Sequence, residues 1–286
     1  MANDIRKAKK YSSALDEVYM HAACTSAIES DKGMMRETAN AAEVMVPMLY
    51  MDGLADYDRN SGYVKGNVTL QWKTMKYDYE RGRKFDVDFL DDEESVNVAF
   101  GRLAGEFVRT KTVPEIDAYR FAALSEQAGG VDTGTLTTGA QVVTALRSAD
   151  SAMFGDSVPM EDRVLFITKR LHDMIKDMDT YKSKDVLSGF SQIIDVPQTR
   201  FSTSVKLNDG TTEGEEAGGF EPDGDDINFM IVHRPAVICF TRNVVSKIIT
   251  PELNQFSDGW LYMYRAYAMT QVYANKASGV YVHHAE

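Results

Sequence analysis

The strongest constraint on this chain is a pair of strand-like runs joined by a polar turn between residues 43 and 89. The first run, EVMVPMLYM (43–51), is apolar and interrupted by Pro47. Proline gives no N–H to a ladder, which places this run at an edge. The second, VTLQWKTMKYDYERGRKFDVDF (68–89), alternates. Val68, Leu70 and Trp72 share one face, and Phe85, Val87 and Phe89 share one again. That period marks strands half-buried on one side. A lone two-stranded hairpin is barely stable in water, so an excursion of this length needs a surface to lie on.

The turn itself, LADYDRNSGYVKGN (54–67), places Asp56, Asp58 and Asn60 at alternate positions. A calcium loop of the EF-hand kind needs oxygen ligands at positions 1, 3 and 5, Gly at 6 and Glu at 12. Counting from Asp56, position 6 is Ser61 and position 12 is Asn67, so the sharp-turn glycine and the closing carboxylate are both missing. Asp, Asn, Ser and Gly also suit a plain turn, and that is the reading adopted.

Around this excursion the pattern is mixed. Residues 1–42 are helical in patches and read as an extended arm or as a first helix packed on another element. Four acids, Asp91 to Glu94, suit a helix N-terminus, with Asp91 and Glu94 in capping positions. Val96, Ala99, Leu103, Phe107 and Val108 continue at helical spacing. Pro114 marks a kink or a restart, and Gly129-Gly130 ends a helix of roughly ten turns at about 3.6 residues each. DTGTLTTGAQ is a loop in which Thr137 or Thr138 caps the helix GAQVVTALRSADSAMF. DRVLFIT is a buried strand and KRLHDMIKDMDTY a helix. GFSQIIDVP, INFMIVHRPAVICFTR and SGVYVHH are strands. The acidic, Gly-rich stretch 208–226 is expected to be exposed and mobile. This order of elements predicts an α+β fold.

The chain has 286 residues, enough for a sizeable core in one large or two modest domains. Its net charge of −12 disfavours a protein built to grip phosphate backbones. Cys24 and Cys239 read as two reduced thiols of a cytosolic chain, Cys239 inside an apolar strand. No apolar signal region and no run of about 18 apolar residues is present. GxxxxGK[ST], GxGxxG and GxSxG are absent. Among His21, His172, His233, His283 and His284 no metal spacing occurs, although the His283-His284 pair could hold a metal weakly. Asp223, Asp225 and Asp226 read as a solvated loop. No catalytic residue, cofactor or metal is assigned, and an enzyme is disfavoured.

Three stretches carry a family resemblance: R-x-x-x-F-x-V-D-x-x-D at Arg81 to Asp91, VPEIDAYR at Val113 to Arg120, and VYANKASGVYVH at Val272 to His283. Together with the order of elements, they make the chain resemble the major capsid proteins of tailed bacteriophages, of the Hong Kong 97 type. The resemblance implies an N-terminal arm (1–42) and an extended β loop (43–90) reaching over the adjacent subunit. It implies a peripheral domain with a spine helix (91–135), an axial domain (136–266) and a peripheral closing strand (267–286). The DYDRNSG turn becomes the tip of the extended loop. Candidate inter-subunit contacts are Asp58, Arg59, Arg81, Arg83 and Asp88, with Arg59 and Arg81 pairing with acids of the next subunit.

The implied function is self-assembly through hexamers and pentamers into an icosahedral shell around a double-stranded DNA genome. The implied partners are other copies of the chain, a portal protein and DNA by non-specific proximity, with no membrane. A separate scaffolding protein is expected, because the arm begins almost at Met1. The implied location is the virion capsid, assembled in the host cytoplasm. Two alternatives remain open at this point: an encapsulin-like nanocompartment shell of the same fold, and a cytosolic α+β enzyme or calcium-binding module. Particle formation separates the second from the rest, and cargo separates the first.

Overall fold

The structure, a computed structural model, describes residues 23–30, 36–37, 43–88, 105–255 and 257–286. The expected capping acids Asp91 and Glu94, Phe89, His21 and the first half of the long helix lie outside the described residues. Along the chain come β1 (Arg36–Glu37), β2 (Glu43–Met51), β3 (Val68–Lys76) and β4 (Tyr79–Asp88). Helix α1 (Val113–Glu126), β5 (Gly130–Thr133), α2 (Gly139–Gly155), β6 (Arg163–Thr168), α3 (Lys169–Asp177) and α4 (Tyr181–Ser188) follow. The rest is sheet: β7 (Gln192–Val196), β8 (Val205–Leu207), β9 (Phe220–Pro222), β10 (Ile227–His233), β11 (Val237–Ile249), β12 (Gly259–Val272) and β13 (Val280–His284).

The core sits on a five-stranded sheet of order β5-β13-β10-β6-β7. All six residues of β6 and all seven of β10 are buried. Their unbroken apolar runs follow from that, since both faces of the sheet are covered. Phe166, Met230 and Val282 pack with Phe121 and Leu124 of α1 on one face. Leu165, Ile167 and Phe229 pack with Leu146 of α2 and Leu171 and Ile175 of α3 on the other. A second sheet, β11-β12-β4, lies under the opposite flank of α1, where Ile116 meets Tyr79, Tyr262 and Ala266. One helix therefore joins two sheets.

Several expectations change. The wide turn falls at Val108–Thr112, a π-helical stretch in which the N–H of Val113 reaches back to the Val108 carbonyl, and the backbone then runs helically through Pro114. The loosened turn just ahead of Pro114 accommodates its missing N–H, so no break follows. The expected single helix 169–181 is two, separated by Asp179 at φ +40° and restarted by a capping box at Thr180 and Ser183. Part of the expected loop after Gly129 is β5, running parallel to β13. The last strand is not in the sheet that carries β4. It pairs with β10 and β5, so the change of sheet falls between β12 and β13.

Residues 24–29, expected in the N-terminal arm, belong to the core. The turn Cys24–Ile28 buries Ile28, and Asp117 on α1 accepts hydrogen bonds from the Cys24 N–H (3.0 Å), the Thr25 N–H (3.1 Å) and the Thr25 hydroxyl (2.6 Å). Arg120 donates to the Thr25 hydroxyl (3.0 Å) and to that of Thr241 on β11 (2.7 Å).

Candidate functional site

Strands β2 and β3 form an antiparallel ladder that packs on the body at its root. There Val44, Val46 and Met75 pack on Ile238 and Met269. Strand β1 pairs β2 only at Val44 and Met45, so Pro47 lies where one flank of β2 has no described partner, as its chemistry requires. Beyond the root the ladder projects. Pro47 faces Trp72, Leu49 faces Leu70, and Met51 faces Val68. Residues directly opposite in a ladder share a face, so these six form one apolar face. The sequence predicted that Val68 and Leu70 would be half-buried, but they are 71% and 57% exposed. Their alternation is real, but the described residues leave them uncovered. Of the fifteen large apolar side chains exposed among the described residues, ten lie between Leu49 and Trp72.

The tip is a turn closed by the Asp58–Gly62 backbone bridge, with Gly62 at φ +80°. The Asp58 carboxylate accepts the Asn60 N–H at 2.8 Å, which holds its pKa below the usual carboxylate range. Asp58 is thereby spent on turn geometry, and the turn reading holds. Arg59 is exposed beside it. Tyr57 and Tyr63 flank the turn with ring centroids 4.8 Å apart.

The other predicted contacts sit at the return of the arm, on β4. The Arg81 guanidinium donates to Glu115 of α1 (2.9 Å) and to the carbonyls of Asn208 (2.6 Å) and Gly219 (3.2 Å). It is therefore engaged within its own chain. Arg83 donates to the Glu216 carbonyl at 3.0 Å. Its Nη1 lies 2.8 Å from where a Cβ on Gly210 would stand, and Gly210 has φ +79°. Asp88 ends β4 opposite Gly259. The structure thus groups Arg81 and Arg83 at the root and Asp58 and Arg59 at the tip.

Much of the stretch 208–226 is exposed, but Asn208 is buried and the part up to Gly219 is braced. Besides Arg81 and Arg83, Lys206 pairs with Glu215 (2.6 Å), and Asp209 accepts the N–H groups of Thr211 and Thr212. Sequence reading missed Glu115, which also accepts the Tyr79 hydroxyl (2.9 Å), as well as Asp117 and Arg120. The signal was available: three charges in VPEIDAYR at spacings that wrap around a helix otherwise lined with apolar residues.

Nothing in the described residues gathers three or more metal-ligating side chains. His172 bonds Asp195 at 2.5 Å, and His283 contacts Asn228 at 3.1 Å and stacks on Phe229. Burial pushes the thiols of Cys24 and Cys239 up to about 11, so neither is a ready nucleophile. No helix of the described residues is long and apolar enough to cross a membrane.

No protein-family model matches the chain, and no curated protein does. Solved structures do. The mature capsid of bacteriophage PhiM1 is similar at 9% identity and a TM-score of 0.58, over 90% of each chain. The capsid of cyanophage P-SCSP1u is similar at 12% identity and 0.55, over 88% of this chain and 85% of that one. The chain has the fold of phage capsid subunits. A structure from Gordonia phage Cozz shares it at 11% identity and 0.59, over 92% of this chain and 86% of that one. This is the α+β architecture that the sequence resemblance implied.

Proposed function

We propose that the chain is the major capsid protein of a tailed bacteriophage, a structural subunit that closes into a shell around double-stranded DNA. The observation that carries this reading is the all-apolar face of the projecting ladder on a chain with the capsid fold. Burying a Val, Leu or Met side chain stabilises by on the order of 1.5–3 kcal/mol. An exposed apolar face of this extent marks an interaction surface, and a further copy of the subunit is the partner a shell supplies. Pentamers and hexamers are the closed units that such an interface builds. A scaffolding protein, a portal, assembly in the host cytoplasm and residence in the virion follow from the same reading. The subunit performs no catalysis in this role.

Negative-stain microscopy of the purified chain, alone and with its genomic neighbours, tests it. Closed particles tens of nanometres across are expected. A monodisperse small oligomer under all these conditions contradicts it.

A further inference from the structure

The sheet β11-β12-β4 turns one face to α1, where Tyr262, Tyr264 and Ala266 of β12 are buried. Side chains alternate along a strand, so Met263 and Arg265 point the other way. Across the ladders Met263 faces Lys84 of β4 on one side and Lys247 of β11 on the other, and residues directly opposite share a face. Neighbouring strands lie about 4.8 Å apart, which sets the two lysine backbones roughly 10 Å from each other. Gly82, opposite Arg265, adds no side chain here, and a Cβ on it would stand 2.8 Å from the Tyr264 carbonyl oxygen. The result is an open hollow of about 650 Å³ over the sheet.

Five of the nine residues that line the hollow are cationic, Arg81, Arg83, Lys84, Lys247 and Arg265, and one, Glu80, is acidic. The chain as a whole has 31 cations against 43 acids, so its charge is locally reversed here. Pairing within the chain cancels only part of this. Glu115 offsets Arg81, and Glu80 offsets Arg265. Arg83 donates to the carbonyl of Glu216, not to a carboxylate. Lys84 has Asp86 no nearer than 3.9 Å, and Lys247 has no ion pair among the described residues. Arg83, Lys84 and Lys247 are all exposed.

We propose that this hollow takes the phosphate backbone of duplex nucleic acid. The proposal rests on the shell reading and adds to it the surface on which the enclosed duplex touches the subunit. A net charge of −12 repels a polyanion, so contact is concentrated where the sign reverses. A duplex carries one negative charge per about 1.7 Å of its axis, and lysines meet phosphates as point charges on flexible stems. Such contacts position a duplex without reading its sequence. Each is weak alone, and a closed shell repeats it on every copy.

Fluorescence anisotropy of a short labelled duplex, titrated with the unassembled full chain at several salt concentrations, tests this. The log–log salt slope is expected to be about −2 to −3, as for two or three phosphate contacts. Lys84→Gln with Lys247→Gln is expected to weaken binding about tenfold at ~50 mM salt and to flatten the slope by about 2, one unit per lysine. Arg170→Gln with Lys182→Gln removes the same charge from α3 and α4 and is expected to stay within about twofold of the parent, because distant surface charges are screened. All four side chains are exposed, and unchanged melting temperatures show that the fold is kept. Poly-L-glutamate is expected to displace the duplex only at about tenfold higher charge concentration. Equal competition assigns the hollow to an acidic protein segment and overturns the proposal. So does an unchanged slope in the Lys84, Lys247 variant, or no binding at ~20 mM salt, while closed particles from the parent leave the shell reading standing. A parent chain that forms no particles overturns the shell reading, whatever it binds.

Discussion

Asp117 is fully buried and holds four donors: two backbone N–H groups, one hydroxyl and the Arg200 guanidinium at 2.9 Å. Breaking a buried pair by removing one charge strands the other, at a cost of about 3–5 kcal/mol. Asp117→Asn is therefore expected to lose that much stability in urea titrations followed by circular dichroism. A loss under ~1 kcal/mol shows that water reaches Arg200 and does the same work. His233 and His283 give a pH dependence of known sign. Burial lowers the pKa of each below the ordinary value. Below about pH 6.5 the unfolded chain binds protons that the folded chain refuses, so stability falls as pH drops from that value through the folded pKa. Denaturation midpoints are expected to decline between pH 7.5 and 5.5, and the decline should shrink in a His233→Gln, His283→Gln variant. An unchanged slope assigns the acid sensitivity to other groups.

Among the elements, the arm and its root make opposite predictions. Leu70 projects into solvent, so Leu70→Ser is expected to keep the melting temperature of the isolated subunit within about 2 °C, since surface changes stay within about 0.5 kcal/mol. Particles should nevertheless disappear from sedimentation profiles. Arg81→Glu places a carboxylate against Glu115 and two carbonyls, so here the subunit itself is expected to melt earlier. A variant with normal melting and no assembly returns Arg81 to the interface. Arg83→Ala removes a brace and is expected to speed limited proteolysis within 209–218 severalfold; equal rates show that the remaining ties suffice. Strand periodicity made the ladder legible in the sequence, and the apolar runs 163–168 and 227–233 made the central sheet legible. What covers a strand was not, because alternation in Val68, Leu70 and Trp72 reports an apolar face and not whose atoms bury it. The root was missed for a related reason. Arg81 reads as surface charge until tertiary structure brings up Glu115, and carbonyl acceptors at 208 and 219 leave no mark in side-chain pattern.

At the scale of the whole molecule, contacts join distant parts of the chain. Ser30 donates its N–H to the Cys239 carbonyl at 2.8 Å, and Met269 supports the root of a ladder that begins at Glu43. Contacts of such sequence separation slow folding, because the intervening chain must be closed before they form. They also set a schedule during synthesis. The ladder leaves the ribosome some two hundred residues before Met269 does, and ribosomes add about 5–20 residues per second. For on the order of 10–40 s each nascent subunit therefore carries its adhesive face on a root that has nothing yet to stand on, while neighbouring ribosomes on the same message present the same face.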